Sequence, residues 1–295
     1  MSSSPASSTP PVRLLLATDL SARCDRALDR AAQLVGEWQA ELVVLNVLDV
    51  AASPDMALAW ATGQDDEHLL DIAQQQLARD LVGLDIQATM QIVRAGDVAG
   101  TIRDIAASKG CGLVITGVAR NEVFGRFLLG STVERLARIL SQPLLVVRRR
   151  ARAPYQRIVV ATDFSDSSRE ALLTAARIFP GRELVLFHAF QIPLAESTDD
   201  QPHARLARNI ERHECADFLA STELPPEVSV RTVIEHGALE TTLTRYVRQH
   251  ETDLVVMGTH GRSGVMSILL GSSAAMLLDW LPCDVLVVRE PRSTA

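Results

Sequence analysis

The residues best suited to chemistry lie near the carboxyl terminus, in the stretch from Gly258 to Ser273. Gly258 closes the apolar run Leu254–Met257, and Gly261 and Gly264 follow at three-residue spacing. Glycines tolerate positive φ and let backbone amides come close to an anion. Gly271, Ser272 and Ser273 open the next helical stretch, where unbonded N–H groups and the helix dipole favour phosphate and the hydroxyls add donors. Read alone, the same glycines also suit plain turns. A second candidate is Asp163, after the apolar run that ends at Ala161. Two readings of it stand side by side: an acceptor for a ribose hydroxyl or an adenine amino group, and a helix-start carboxylate favoured by the dipole. Neither common phosphate loop is present. No G-x-x-x-x-G-K-[ST] places a lysine on terminal phosphates, and no G-x-G-x-x-G follows the first apolar run.

These residues need a scaffold, and the sequence contains it twice. Arg13 to Ser21 repeats as Arg157 to Ser165, with Asp19 and Asp163 144 residues apart. Asn46 and His188 are 142 apart, and Gly96, Gly117, Gly130 and Arg148 recur 141 residues later as Gly237, Gly258, Gly271 and Arg289. So small a drift means that the copies share every element. In the first copy, Leu14–Ala17, Leu42–Val47, Ile86–Val93, Leu113–Thr116 and Leu144–Val147 read as strands. Four are almost wholly apolar, as parallel strands buried on both faces are. The third holds Gln87 and Gln91 and suits an edge. Helical spacing runs through Cys24–Trp38, with Ser21 as its cap, and through Glu67–Leu81 and Val98–Ser108. Ser168–Phe179, Ala204–Leu219 and Leu239–His250 follow in the second copy. The alternation predicts an α/β fold: two tandem Rossmann-like domains, each a five-stranded parallel sheet flanked by helices. The expected boundaries are a disordered tail 1–11, domains 12–150 and 155–291, and a linker 151–154 marked by Arg152 and Pro154. Ligands of such sheets sit beyond the carboxyl ends of the strands, where strand order reverses.

Composition narrows the function classes. A net charge of -7 gives no footprint for nucleic acid, and scarce aromatics argue against stacking platforms for single strands. The basic run Arg148–Arg150 with Arg152 reads as a solvated linker. Cys24, Cys111, Cys215 and Cys283 form no C-x-x-C pair, and the spacing of His203, His213 and Cys215 is wrong for one helix face, so no metal site is expected. A reduced, cytoplasmic setting fits. Residues Met1 to Pro11 lack the basic and apolar regions of a signal peptide, and no run reaches membrane-spanning length.

The spacing G-x-x-G, nine residues, then G-[S/T] resembles the ATP-binding motif of the universal stress protein family, met here by Gly258, Gly261, Gly271 and Ser272. Thr162 to Ser165, His188-Ala189 and the closing strand from Pro282 to Arg289 resemble it too. The likeness covers nearly the whole chain, twice, in the manner of the family's tandem type. It implies an adenine nucleotide α-hydrolase-like fold and ATP, with or without Mg²⁺, as ligand. Asp163 would contact adenosine, and Ala189 would lie against adenine. Gly258, Gly261 and Arg262 would attend ribose and phosphates, and Gly271, Ser272 and Ser273 would bind phosphate. Asp19, Val47, Gly117, Gly130, Ser131 and Thr132 are the weaker counterparts in the first copy. The resemblance also implies pairing of the domains through their fifth strands, a homodimer, and a regulatory role in stress survival. The first copy departs at Arg120, which stands where Gly261 stands in the second. The arginine either bonds phosphates itself or blocks the site, and the loss of glycine favours weakened binding.

Four functions compete: a regulatory ATP-binding protein, an ATP-hydrolysing or adenylyl-transferring enzyme, a receiver domain, and a nucleotide-free scaffold. The enzyme class would show H-x-G-H or S-G-G-x-D-S motifs, which are absent, and no lysine clamp suggests more than slow hydrolysis. A receiver needs a phospho-accepting Asp after the third strand, where Asp97 comes late, and a Lys where Arg148 and Arg289 stand. The first class is favoured, with binding mainly in the second domain. ATP titration of separate halves, 1–152 and 153–295, should find binding in the second and little in the first, restored by Arg120→Gly. A first half still silent after that change would clear Arg120 of blame.

Overall fold

Apolar runs and amphipathic stretches alternate along the chain, and they fold as alternating strands and helices. The structure, a computed structural model, describes residues 10–22, 24–49, 66–118, 122–123, 126–127, 130–191, 200–261 and 270–290. The elements fall into two compact units. The N-terminal unit holds β1 (Arg13–Thr18), α1 (Asp25–Trp38), β2 (Glu41–Asp49), α2 (Asp66–Asp80), β3 (Ala88–Ala95), α3 (Val98–Ser108), β4 (Leu113–Gly117), α4 (Ser131–Ile139) and β5 (Leu144–Val147). Its strands pair in parallel in the order β3-β2-β1-β4-β5. The C-terminal unit repeats this with β6 (Ile158–Ala161), α5 (Asp166–Ile178), β7 (Leu184–Phe190), α6 (Asp200–Ile210), β8 (Val230–His236), α7 (Leu239–Gln249), β9 (Leu254–Gly258), α8 (Ser272–Trp280) and β10 (Asp284–Val288). Its parallel order is β8-β7-β6-β9-β10. Each unit is therefore the expected doubly wound α/β sheet. The tail through Thr9 lies outside the described residues.

Burial follows the sequence pattern. Leu14, Leu15, Val44, Val114, Ile115 and Val146 have almost no exposure in the first sheet, nor have Ile158, Val160, Leu254 and Val285 in the second. Full burial of such a side chain stabilises by about 1.5–3 kcal/mol. Strand β3 begins two residues later than expected, which leaves Gln87 outside it; it is half-exposed, as Gln91 suggests, and among the described residues pairs with β2 alone. Helix α1 turns Ala27, Ala31, Leu34 and Val35 inward and ends at Gln39 with φ 53°.

Three local expectations change. Ser21 does not cap α1: its hydroxyl donates to Asp19 Oδ1 at 2.6 Å, and Cys24 holds the cap position without a side-chain bond. Arg148 is not part of a solvated run, since it is buried, and its carbonyl accepts from Arg26 Nη1 at 2.7 Å. Arg30 donates to the Ala153 carbonyl at 3.0 Å, so α1 holds the segment read as a linker. The predicted helix Ala204–Leu219 is interrupted: α6 passes through a π turn, Glu211–Cys215, into a last α turn, Ala216–Ala220. The wider turn brings Ile210 and Cys215, five residues apart, to the buried side while His213 stays exposed. The side chain of His203 lies outside the described residues. Asp97, weighed as a late phospho-acceptor, caps α3 by accepting from Gly100 N at 2.9 Å and pairs with Arg135 at 3.0 Å.

The C-terminal unit has one buried polar link that the other cannot form. Tyr155 donates its hydroxyl to Asp284 Oδ2 at 2.6 Å, with both residues buried. The repeat places Pro11 and Pro143 at the matching positions. Tyr155→Phe should lower the stability of the C-terminal unit by about 2 kcal/mol, because a buried carboxylate loses a charge-assisted bond. Urea unfolding followed by Trp280 fluorescence would measure it, and an unchanged midpoint would refute it.

Candidate functional site

The strand order makes β1 and β4 neighbours, and β6 and β9, while their following chain segments leave on different paths. A crevice therefore opens beyond the carboxyl ends of these strands. Both units line it with the same turn. In the C-terminal unit, Thr162 Oγ1 accepts from Phe164 N at 2.9 Å, and Asp163 Oδ1 accepts from Ser165 N at 3.2 Å and from Ser165 Oγ at 2.6 Å. In the N-terminal unit, Thr18 accepts from Leu20 N at 3.0 Å, and Asp19 from Ser21 N at 3.0 Å. Short Thr and Asp side chains bond the backbone two residues on, in place of a backbone turn. Phe164 and Leu20 sit at φ 64° and 59°. The capping of α5 falls to Ser165, whose Oγ accepts from Ser168 N at 3.3 Å, so Asp163 is not itself the cap.

The second strand of each unit supports this turn. His188 Nδ1 donates to the Thr162 carbonyl at 2.8 Å, and Asn46 Nδ2 donates to that of Thr18 at 2.9 Å. The carbonyl can only accept, so the His188 proton is on Nδ1. Phe164 stacks on His188 with centroids 4.5 Å apart, and Phe218 meets Phe164 edge-on at 5.6 Å. Ala189, beside His188, is half-buried at the end of β7.

The glycines after β9 meet this turn directly. A Cβ on Gly261 would lie 2.6 Å from Asp163 Oδ2, well inside contact distance. A Cβ on Gly258 would collide with the Ser167 hydroxyl and lie 2.8 Å from the Ser167 carbonyl. Ser167 Oγ also accepts from His260 N at 3.3 Å, which ties the first turn of α5 to the loop. Gly271 N donates to the Thr259 carbonyl at 2.9 Å, so the start of α8 is bonded back to the end of β9. Ser272 and Ser273 are exposed in the first turn of α8. Gly261 thus lies against Asp163, Gly258 against Ser167 and Gly271 against Thr259, while Arg262 lies outside the described residues.

In the N-terminal unit, the crevice is a cavity of about 300 Å³. All six candidates of the first copy, Asp19, Val47, Gly117, Gly130, Ser131 and Thr132, line it. Arg120 is outside the described residues. The sequence reading missed Cys24, Val98, Ile102 and Val118, which also line this space. Val98 and Ile102 are four apart on α3, a spacing that marks one helix face. Cys24 Sγ donates to Asp19 Oδ1 at 3.1 Å. Burial, and then the charge of Asp19, push its pKa up to about 11, so it remains a thiol at neutral pH. Ser167 was missed as well. The repeat gives no signal for it, because the matching residue of the first copy is Arg23, itself outside the described residues. Among the described residues, no three His, Cys, Asp or Glu side chains gather to hold a metal ion, and no helix is long and apolar enough to cross a membrane.

Comparison with known proteins agrees with the duplicated sheet. The model of the universal stress protein family matches residues 12–148 and again 154–289. A universal stress protein of Mycolicibacterium smegmatis is 28% identical over 289 residues, covering 94% of this chain and 96% of its own. One from Synechocystis is 25% identical, covering 94% and 99%. The crystal structure of a universal stress protein from Archaeoglobus fulgidus superposes with a TM-score of 0.62 at 20% identity, over 95% of this chain and 98% of that one, a likeness of fold. Matched twice by one family pattern and aligned along its length with relatives of that name, this chain belongs to the universal stress protein family and is of its tandem type.

Proposed function

We propose that this protein is a regulatory ATP-binding member of its family, supporting survival under stress in the cytoplasm, and that the C-terminal unit holds the nucleotide. The observation that carries this reading is the approach of Gly261 to Asp163, a place that any side chain would fill. A carboxylate for the ribose lies against Gly261, which has no side chain, and the start of α8 offers two exposed serines. Bare backbone, helix dipole and hydroxyls suit phosphate oxygens. ATP would be held by Asp163 and Ala189 at the nucleoside end. Gly258, Gly261 and Arg262, with Gly271, Ser272 and Ser273, would hold the phosphate end. Magnesium, where present, would arrive on the phosphates. The bound nucleotide supplies charge and shape at the strand ends, and occupancy then sets which partner surface is offered. Turnover, if any, is slow. The weaker set in the N-terminal unit, from Asp19 to Thr132, gives that unit a different binding capacity, and the chain works as a homodimer.

Calorimetry tests the site. Gly261→Arg should weaken ATP at least tenfold, because the new side chain must displace Asp163 or the phosphates, which amounts to about 1.4 kcal/mol or more. Equal affinities for the variant and the parent would end the assignment. Ser167→Ala should weaken ATP by about three- to tenfold through the loosened loop, the loss of one hydrogen bond, with the thermal midpoint of the ligand-free protein nearly unmoved.

A further inference from the structure

The turn that carries Asp163 is held from behind by a run of side chains that ends on Arg169. Phe164, the residue after Asp163, sits at φ 64°, a conformation that a bulky side chain keeps only when its surroundings hold it. Its ring stacks on His188 and meets Phe218 edge-on. Phe218 is buried, and Arg169 sets its place. The guanidinium carbon lies 5.0 Å from the centroid of the Phe218 ring. Arg169 Nη1 donates to Ser221 Oγ at 2.8 Å and to Thr222 Oγ1 at 3.1 Å. Both hydroxyls donate in turn to the Phe218 carbonyl, at 3.0 and 2.6 Å. An arginine can only donate, so the hydroxyl protons are committed to that carbonyl. Arg169 therefore fixes Phe218 through both its ring and its backbone. It does so from the first turn of α5, where its Nε lies 3.5 Å from Asp166.

The N-terminal unit builds the same turn without this run. The repeat places Leu20 at Phe164, Asn46 at His188, Leu77 at Phe218, Asp25 at Arg169 and Asp80 at Ser221. Asp25 and Asp80 border one small space beside Leu77, two carboxylates where the other unit has a cation and its acceptor. Leu20 is held instead by its carbonyl, which accepts from Gln76 Nε2 at 2.6 Å. We infer that Arg169 and Phe218 are positioning residues for the C-terminal crevice: the cation fixes the ring, the ring fixes Phe164 on His188, and that stack keeps Asp163 aimed before a ligand arrives. Neither residue needs to touch the ligand. A carboxylate already aimed loses less freedom on binding, so the run acts on affinity. The choice of ATP as ligand rests on the nucleotide reading, whereas the ordering of the turn does not.

Amide hydrogen exchange on the full-length, ligand-free protein reads the turn itself. Arg169→Ala and Phe218→Leu, the second of which installs the residue of the other unit, should each speed exchange at Phe164 and Ser165 about tenfold relative to Val159 and Val160 in β6. A general loss of stability would not raise that ratio. Calorimetry should show ATP weakened about three- to tenfold in both variants. Arg169→Lys keeps a cation over the ring without the fork and should recover part of both effects. The inference is overturned if the ratio stays at its parental value in both variants, if lysine does no better than alanine, or if both variants bind ATP as tightly as the parent does. A parent that binds no ATP would sink the nucleotide reading alone, because exchange at the turn still decides the positioning role.

Discussion

The architecture of both crevices depends on one tight reversal of the chain. Immediately after the first strand of each unit, a bulky residue, Leu20 or Phe164, is held in the left-handed region. That conformation costs roughly 1–2 kcal/mol for a residue with a side chain. It is offset by the bonds that Thr18 and Asp19, or Thr162 and Asp163, make to the backbone two residues ahead. The reversal lets α1 and α5 begin within a few residues of the strand and leaves the aspartate facing the crevice. The second strand braces the turn, through Asn46 in one unit and His188 in the other. Different side chains thus perform the same task, because only a donor aimed at one carbonyl is required.

Upon this common turn, the two units diverge by side chains of similar size. Thr259 is matched by Val118 across the repeat, and Ser168 by Cys24. Neither exchange disturbs the sheet, because the strands are held by ladders and by buried aliphatic residues that both units retain. Each one, however, removes or weakens a hydroxyl that is hydrogen-bonded within the C-terminal unit. Duplication supplied a second frame whose side chains near the turn differ while the core continues to specify the fold.

Much of the fold was legible in the sequence because burial on both faces of a parallel sheet leaves an unmistakable apolar run. Leu144–Val147 and Val98–Ser108 have the ends that the pattern predicts. Edge position was readable for β3 from Gln91 in an otherwise alternating run. Errors arose where a single side chain chose between neighbours. Ser21 has the composition of a helix cap but bonds Asp19 instead, since the turn brings that carboxylate closer than the helix amides. Arg148 belongs to a basic run by composition, yet it extends a buried strand and is covered. The π turn at Glu211–Cys215 has no counterpart in simple periodicity; it sets Ile210 and Cys215, five residues apart, on the buried side.

The sequence by itself determined the duplication, the α/β order, the family and the spacing of the glycines, since these rest on residue type and spacing along the chain. Only the tertiary structure decided which groups meet across it: Gly261 against Asp163, Ser167 beneath Gly258, Tyr155 on Asp284, and Val98 and Ile102 as walls of the N-terminal cavity. These partners are separated by tens to more than a hundred residues. Spacing carries information within one turn of helix or strand, whereas contacts between elements follow from how whole helices pack on a twisted sheet.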